Sequence, residues 1–310
     1  MRVSSNTFPD SLVTQLGRLS AHQVRLQTEA ATGQRMAVAS DDPVAMRRTL
    51  DLQAQAHSVA QYQRNIARQE ELADAVFASL KNLQKVSDRA GEIATLADGL
   101  KSPEQLRAYA AEIDQLLHQA VQIANTTNRG DYLFAGTRTD QPPFIAATNA
   151  DGQVASVAWQ GNATVPAAEI APAQALAIQP PGANSSGAGP RGLFADSRSG
   201  ADFFAHLVAL RDHLAAADVG AVETDRAQLA RDEDNLLYHY GLNGALQSRL
   251  EAAAAGMSGQ SLALESSVSR EVDADLAQTL VRLNETQNAY QAALQTGASM
   301  LRLSLLDYLR

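Results

Sequence analysis

"AQTLVRLNETQNAYQAALQTGASMLRLSLLDYLR", residues 277–310, ends the chain on one uninterrupted helical pattern that contains no proline. Positions 276, 280, 283, 287, 290, 294, 297 and 301 step by alternating four and three residues and hold Leu276, Leu280, Leu283, Gln287, Tyr290, Leu294, Gly297 and Leu301. A mean spacing of 3.5 residues keeps one stripe against a partner helix for many turns if the two supercoil. The same stepping occurs at the other end, through Leu12, Leu16, Leu19, Gln23, Leu26 and Ala30. We read the two ends as matched coiled-coil helices. Gln23 and Gln287 sit at equivalent places, where a polar residue costs stability and favours one register. Periodicity alone leaves a second possibility open, two amphipathic helices of an ordinary bundle.

Inward from both ends the chain is rich in Ala, Leu, Gln and Glu with helical spacing, which predicts helices over roughly 43–97, 103–128, 200–218 and 222–255. Ser102-Pro103-Glu104-Gln105 reads as a capping box with proline in the first turn. Asp41-Asp42-Pro43 ends one element and starts the next. Seven of the ten prolines lie between Pro142 and Pro190, and none follows Pro190. Trp159 lies there too, at the end of a strand-like run from Val154 that follows the turn pair Asp151-Gly152. The expected fold is mainly α: an elongated rod of nested antiparallel helices with terminal coiled-coil helices and a small β-rich insertion. Its expected parts are a terminal domain (1–40 with 270–310), a helical rod domain (41–136 with 193–269) and the insertion (137–192).

Of 310 residues, 45% are hydrophobic and 19% charged, enough to bury a core. The formal net charge of −9 and the lack of any Lys/Arg run argue against nucleic acid as a partner. The chain has no cysteine, which removes disulfides, thiolate metal sites and cysteine nucleophiles together. The opening residues carry no apolar stretch of signal-peptide length, so export by cleaved signal is not expected. No window approaches the about 20 apolar residues of a membrane span.

Six histidines (His22, His57, His118, His206, His213, His239) occur in separate segments, none with a Glu three residues before it. The Glu-x-x-His signature of di-iron bundles is therefore missing. His206 and His213, seven apart, could share a helix face without completing a metal set. No phosphate loop, dinucleotide fingerprint or nucleophile elbow is present. No catalytic, cofactor-binding or metal-binding residue is assigned, and no cofactor is expected. Arg129-Gly130-Asp131 reads as a turn closing the preceding helix. The Asn-x-Ser/Thr triplets at Asn125, Asn162, Asn184 and Asn284 read as chance matches.

Several stretches in order resemble the bacterial flagellin superfamily: Met1-Arg2-Val3-Ser4 at the start, "TGQRMAVASDDPVA" at 32–45, "NRGDYLFAGTRTDQPPF" at 128–144, "WQGN" at 159–162, "GLNGALQSRLEAA" at 241–253 and "LSLLDYL" at 303–309. Flagellins proper usually place Ala-Ala-Gly after the paired aspartates. Pro43-Val44-Ala45 here is closer to the branch that joins hook to filament. Tyr238-His239-Tyr240 departs from the family, which more often has a hydrophobic or charged residue before Gly241.

The resemblance implies a structural adaptor of the flagellum, required for filament assembly and swimming. It implies export in unfolded form through the flagellar type III apparatus and an extracellular place at the hook–filament junction. The implied partners are hook-associated protein 1, flagellin, further copies of the same chain in a ring, and an export chaperone that binds near 272–310. Neither nucleic acid nor membrane insertion is implied. It also implies terminal segments that are loose in the monomer and form a coiled coil in the polymer. The polymer interface is then expected at Leu12, Leu16, Leu19, Leu26, Leu276, Leu280, Leu283, Tyr290, Leu294 and Leu301. The competing readings are a minor flagellin that itself forms filament and, from another class, a helical-bundle enzyme or ligand-binding module.

Overall fold

The computed structural model describes residues 7–36 and 38–308, and the side chains of 10–36 and 38–299. Six helices, α1 (Thr7–Thr32), α2 (Pro43–Leu96), α3 (Pro103–Ala124), α4 (Phe203–Ala215), α5 (Val219–Val272) and α6 (Leu276–Tyr308), account for most of them. Nine short strands lie between α3 and α4: β1 (Thr127–Asn128), β2 (Asp131–Tyr132), β3 (Phe144–Thr148), β4 (Val154–Trp159), β5 (Ala168–Ala171), β6 (Gln174–Leu176), β7 (Ala183–Asn184), β8 (Ala195–Asp196) and β9 (Ala201–Asp202). The protein is mainly α with small β elements. Strands extend past the expected 137–192 window on both sides.

Local chemistry sets most boundaries. Asp42 caps α2 by accepting from Ala45 N–H at 3.0 Å, and Pro43 supplies the first helical residue. Ser102 and Gln105 form the expected reciprocal box at α3, with bonds of 3.3 and 2.9 Å. That helix stops at Ala124, short of the expected 128. The Asn125 side chain there donates to Phe144 O at 2.8 Å and accepts from Phe144 N–H at 3.0 Å, so it joins β3. Arg129 and Gly130 both have positive φ, 52° and 95°, and make a hairpin turn between β1 and β2. This turn opens a hairpin rather than only closing a helix.

The chain falls into two compact units, within the spans Met1–Val59 with Gly259–Arg310 and Ala60–Ser258. In the first, α1 packs antiparallel on α6, with Leu26, Met36, Ala45, Val59 and Leu264 buried. In the second, α2, α3, α4 and α5 contribute to one core that includes Leu80, Leu83, Ile113, Leu117, Leu207 and Leu210.

An aromatic cluster closes that core. Phe194 stacks on Phe204 at 5.2 Å between centroids and meets Phe144 edge-on at 4.8 Å and Phe134 at 5.5 Å. Each such pair adds about 0.5–1.5 kcal/mol beyond burial. Two of the family-like stretches dock here: Trp159 Nε1 donates to Phe134 O at 3.3 Å, and Asn162 N–H donates to Ala135 O at 3.1 Å. Gly136, at φ +69°, permits this approach, since a Cβ there would fall 2.0 Å from Asn162 O.

Also buried in the second unit, the Arg211 guanidinium donates to Asp114 Oδ1 at 3.1 Å and to Val154 O. Asp114 also accepts from Val154 N–H at 3.2 Å. One ion pair thus joins α3, α4 and β4 while satisfying both backbone groups of Val154.

Candidate assembly surface and its polar anchors

In the first unit the inner stripe of α1 consists of Leu12, Leu16, Leu19, Gln23 and Leu26, all half-buried or buried, as the spacing predicts. The stripe on α6 is rotated from the expected one. It runs through Thr279, Leu283, Thr286, Tyr290, Ala293 and Gly297, again in steps of four and three. Of the expected residues, Leu283 and Tyr290 are half-buried there, Leu276, Leu280 and Leu294 are exposed, and the side chain of Leu301 lies outside the described residues.

The physical reason is size and satisfaction of polar groups. The Thr286 hydroxyl donates to Arg282 O at 2.7 Å, so threonine can be buried without an orphaned group. Small residues at 279, 286, 293 and 297 let α6 approach the α1 leucines closely. Leucines outnumber what a single partner helix can cover, and the surplus faces outward. Val13, Val24 and Val281 are exposed as well.

Where α1 ends and α6 begins, a short backbone clasp ties them. Gly33 leaves α1 at φ +70° with its N–H on Glu29 O at 2.9 Å. Arg35 N–H donates to Val272 O at 2.7 Å, and Ala274 N–H donates to Gly33 O at 2.8 Å. The Arg35 guanidinium adds a bond to Glu271 O at 3.0 Å. The stretch "TGQRM" is thus the segment that holds the two ends of the chain in register.

In the second unit α5 carries a buried polar ladder that periodicity did not reveal: Asp225, Asp232, Asn235, His239 and Asn243. Asp225 pairs with His213 Nδ1 at 2.7 Å, and Asp232 with His206 Nδ1 at 2.8 Å and Asp202 N–H at 2.9 Å. The two histidines do share a face of α4, and each meets its own carboxylate on α5. Asn235 donates to the carbonyls of Gly192 and Leu193 at 3.0 and 2.9 Å, and His239 Nε2 meets Gly192 O at 3.2 Å. Asn243 donates to Ala73 O at 3.0 Å.

Burial works against a charged His206, but the hydrogen bond and charge of Asp232 outweigh it, so its pKa is raised. Burial pushes His239 down to about 4, only partly opposed by the Gly192 carbonyl. Asp196 accepts from Gly192 N–H at 3.0 Å and from Arg198 at 2.8 Å; against the cost of burial these bonds hold its carboxyl down at about 2. The loop around Gly192 is therefore anchored from both sides. The departure at 238–240 has a local role: His239 is one anchor, Tyr238 lies under the Arg191 guanidinium at 4.2 Å, and Tyr240 meets Phe77 edge-on at 5.5 Å. A recurrence of Asp225, Asp232 and His239 at intervals of seven was the available signal in the sequence.

Comparison with known proteins gives a consistent result. Residues 3–139 match the bacterial flagellin N-terminal helical region, and residues 240–309 match the bacterial flagellin C-terminal helical region. The chain is 25% identical over 329 aligned positions to flagellar hook-associated protein 3 of Salmonella typhimurium, covering 98% of each. It is 28% identical over 153 positions to the Escherichia coli protein of that name, covering 46% of each. Among solved structures, a putative flagellar hook-associated protein from Vibrio parahaemolyticus superposes with a TM-score of 0.63 at 18% identity, over 75% of this chain and 100% of that one. FlgL of Xanthomonas campestris gives 0.58 at 16%, over 69% and 98%. These last two likenesses speak for the fold.

Proposed function

From the premise that the chain belongs to the bacterial flagellin family, we propose that it is the structural adaptor joining the flagellar hook to the flagellin filament. The observation that carries this reading is the end-to-end similarity to flagellar hook-associated protein 3, over 98% of both chains. The protein then works by holding neighbours in place rather than by turning over a substrate. Its partners in this reading are hook-associated protein 1 below, flagellin above and further copies of itself in a ring. An export chaperone and the type III apparatus deliver it to the cell exterior.

The terminal segments, 1–40 and 270–310, act here as the polymerising part, with 41–136 and 193–269 as the rod and 137–192 as the outer insertion. Leu12, Leu16, Leu19, Leu26, Leu283 and Tyr290 hold α1 to α6. Leu276, Leu280 and Leu294 face outward to neighbouring subunits, and Leu301 is assigned to the same interface by its spacing in the sequence alone. What supports this is the surplus of apolar side chains: burying them returns roughly 25 cal/mol per Å² on assembly, against about 1–2 kcal/mol for each residue ordered.

Deletion of the gene in the source bacterium tests the proposal. The expected outcome is hooks without filaments by electron microscopy and monomeric flagellin lost to the medium. Normal filaments would refute the adaptor role.

A further inference from the structure

A cleft of about 130 Å³ opens in the second unit between α2, α5, the segment that follows β6 and the turn at Pro190-Arg191. Its walls are apolar, with Val76, Ile178, Pro180, Leu242 and Leu246 among them. Asn243 lines it too and is only 4% exposed. The Asn243 amide nitrogen donates to Ala73 O at 3.0 Å, which fixes the carboxamide. Its Oδ1 is left fully buried with no hydrogen-bond partner among the described residues. A buried acceptor without a donor is costly, so its retention needs an explanation. His239, one helical turn earlier on the same lining, adds a second acceptor. Its Nε2 lies 3.2 Å from Gly192 O and therefore carries the proton, so Nδ1 of the neutral ring carries a lone pair.

The chemistry of this lining is selective. No carboxylate belongs to it, and its one charged group is the Arg191 guanidinium, 4.2 Å from the centre of the Tyr238 ring. A cation gains no partner there and meets Arg191, while an anion meets lone pairs at the buried end. The complement is a neutral group that only donates, carried on a body with no other polar atom. An indole N–H is such a donor, whereas hydroxyls and carboxamides bring an acceptor as well. Size agrees: a cavity of about 150 Å³ lined by Leu, Ile and Phe is enough for benzene. This cleft is slightly smaller and open on one side, so a fused second ring can extend toward the mouth.

We infer that this cleft binds an indole-type ring, its N–H donated to Asn243 Oδ1, with His239 beside it and Leu242 at the mouth. Such a ring arrives either as a free small molecule or as a tryptophan side chain. The site lies within one unit, does not rest on the adaptor reading, and is tested without any assembly assay.

Saturation-transfer NMR titrations on the full chain test it, with indole, benzofuran and N-acetyltryptophanamide as probes. Benzofuran has the shape of indole without the N–H. Indole is expected to bind about tenfold more tightly than benzofuran, the equivalent of one hydrogen bond. Asn243→Leu should remove that preference. Leu242→Glu, at a position 40% exposed that leaves the core intact, should weaken indole about tenfold. N-acetyltryptophanamide binding at least as tightly as indole would support the site and identify its source as a tryptophan side chain; binding of indole alone would support a free ligand. No transfer to indole would overturn the inference. So would equal affinity for benzofuran, or a preference for indole that survives Asn243→Leu.

Discussion

Leu12 of α1 lies directly over Gly297 of α6: a Cβ built on Gly297 would fall 2.5 Å from Leu12 Cδ2. The contact joins the beginning of the first helix to the end of the last, at the far end of the pair from the clasp at 33–35 and 272–274. Gly297→Val is expected to loosen the pair by about 1–3 kcal/mol, the usual cost of overpacking. Leu12→Ala in the same chain should recover much of that loss. Amide hydrogen exchange along 276–299 measures both, and additive effects of the two changes would show that the residues do not touch.

Leu283 and Leu294 separate packing within the chain from packing between chains. Leu283→Asp places a charge on the α1-facing stripe and should both lower the stability of the α1–α6 pair and abolish incorporation into flagella. Leu294 is 46% exposed, so Leu294→Asp should leave the isolated chain as stable as wild type and still abolish filament growth. Thermal unfolding together with filament counts by electron microscopy distinguishes these outcomes. Wild-type filament yield in Leu294→Asp would remove that residue from the polymer surface.

The buried His239 makes stability fall with acid. Its folded pKa of about 4 lies below the unfolded value of 6.5, so its contribution is complete above pH 6.5 and is lost as pH falls through 4. The difference corresponds to about 3 kcal/mol over that window. His239→Leu should flatten the decline between pH 6.5 and 4 in urea unfolding, while Asn235 still serves the Gly192 carbonyl.

His206 acts in the opposite direction. Its pKa is raised, so the contribution of its pair with Asp232 is fully present below pH 6.5 and is lost as pH rises through the folded value. His206→Asn should therefore lower stability at pH 6 more than at pH 9. Equal losses at both values would show that the pair does not depend on the charge of the ring.

Arg211 should be among the least replaceable residues of the second unit. Arg211→Met leaves Asp114 and the Val154 carbonyl buried without their cation, a loss of about 3–5 kcal/mol. Equilibrium unfolding of that variant against wild type tests this, and a change below about 1 kcal/mol would mean that water replaces the guanidinium at no cost.

Several helix starts and turns were legible in the sequence because their causes are local, whereas α5 runs to Val272 where the spacing predicted an end near 255, and α3 stops at Ala124 rather than 128. The Ser102–Gln105 box, the Asp42-Pro43 start and the Asp151-Gly152 turn each involve residues within four positions, and each occurs where the chain predicts it. The four-three stepping marked α1 and α6 as partners, and the order of short stretches marked the family. Tertiary structure alone decided which side of α6 turns inward, because Thr286 can be buried once its hydroxyl has a local acceptor in Arg282 O and α1 needs the close approach that small residues allow. It alone joined His206 to Asp232, Asn235 to Gly192 and Arg211 to Asp114, across separations of 26, 43 and 97 residues. A polar side chain reads as a solvated one until the fold supplies the single partner that permits its burial.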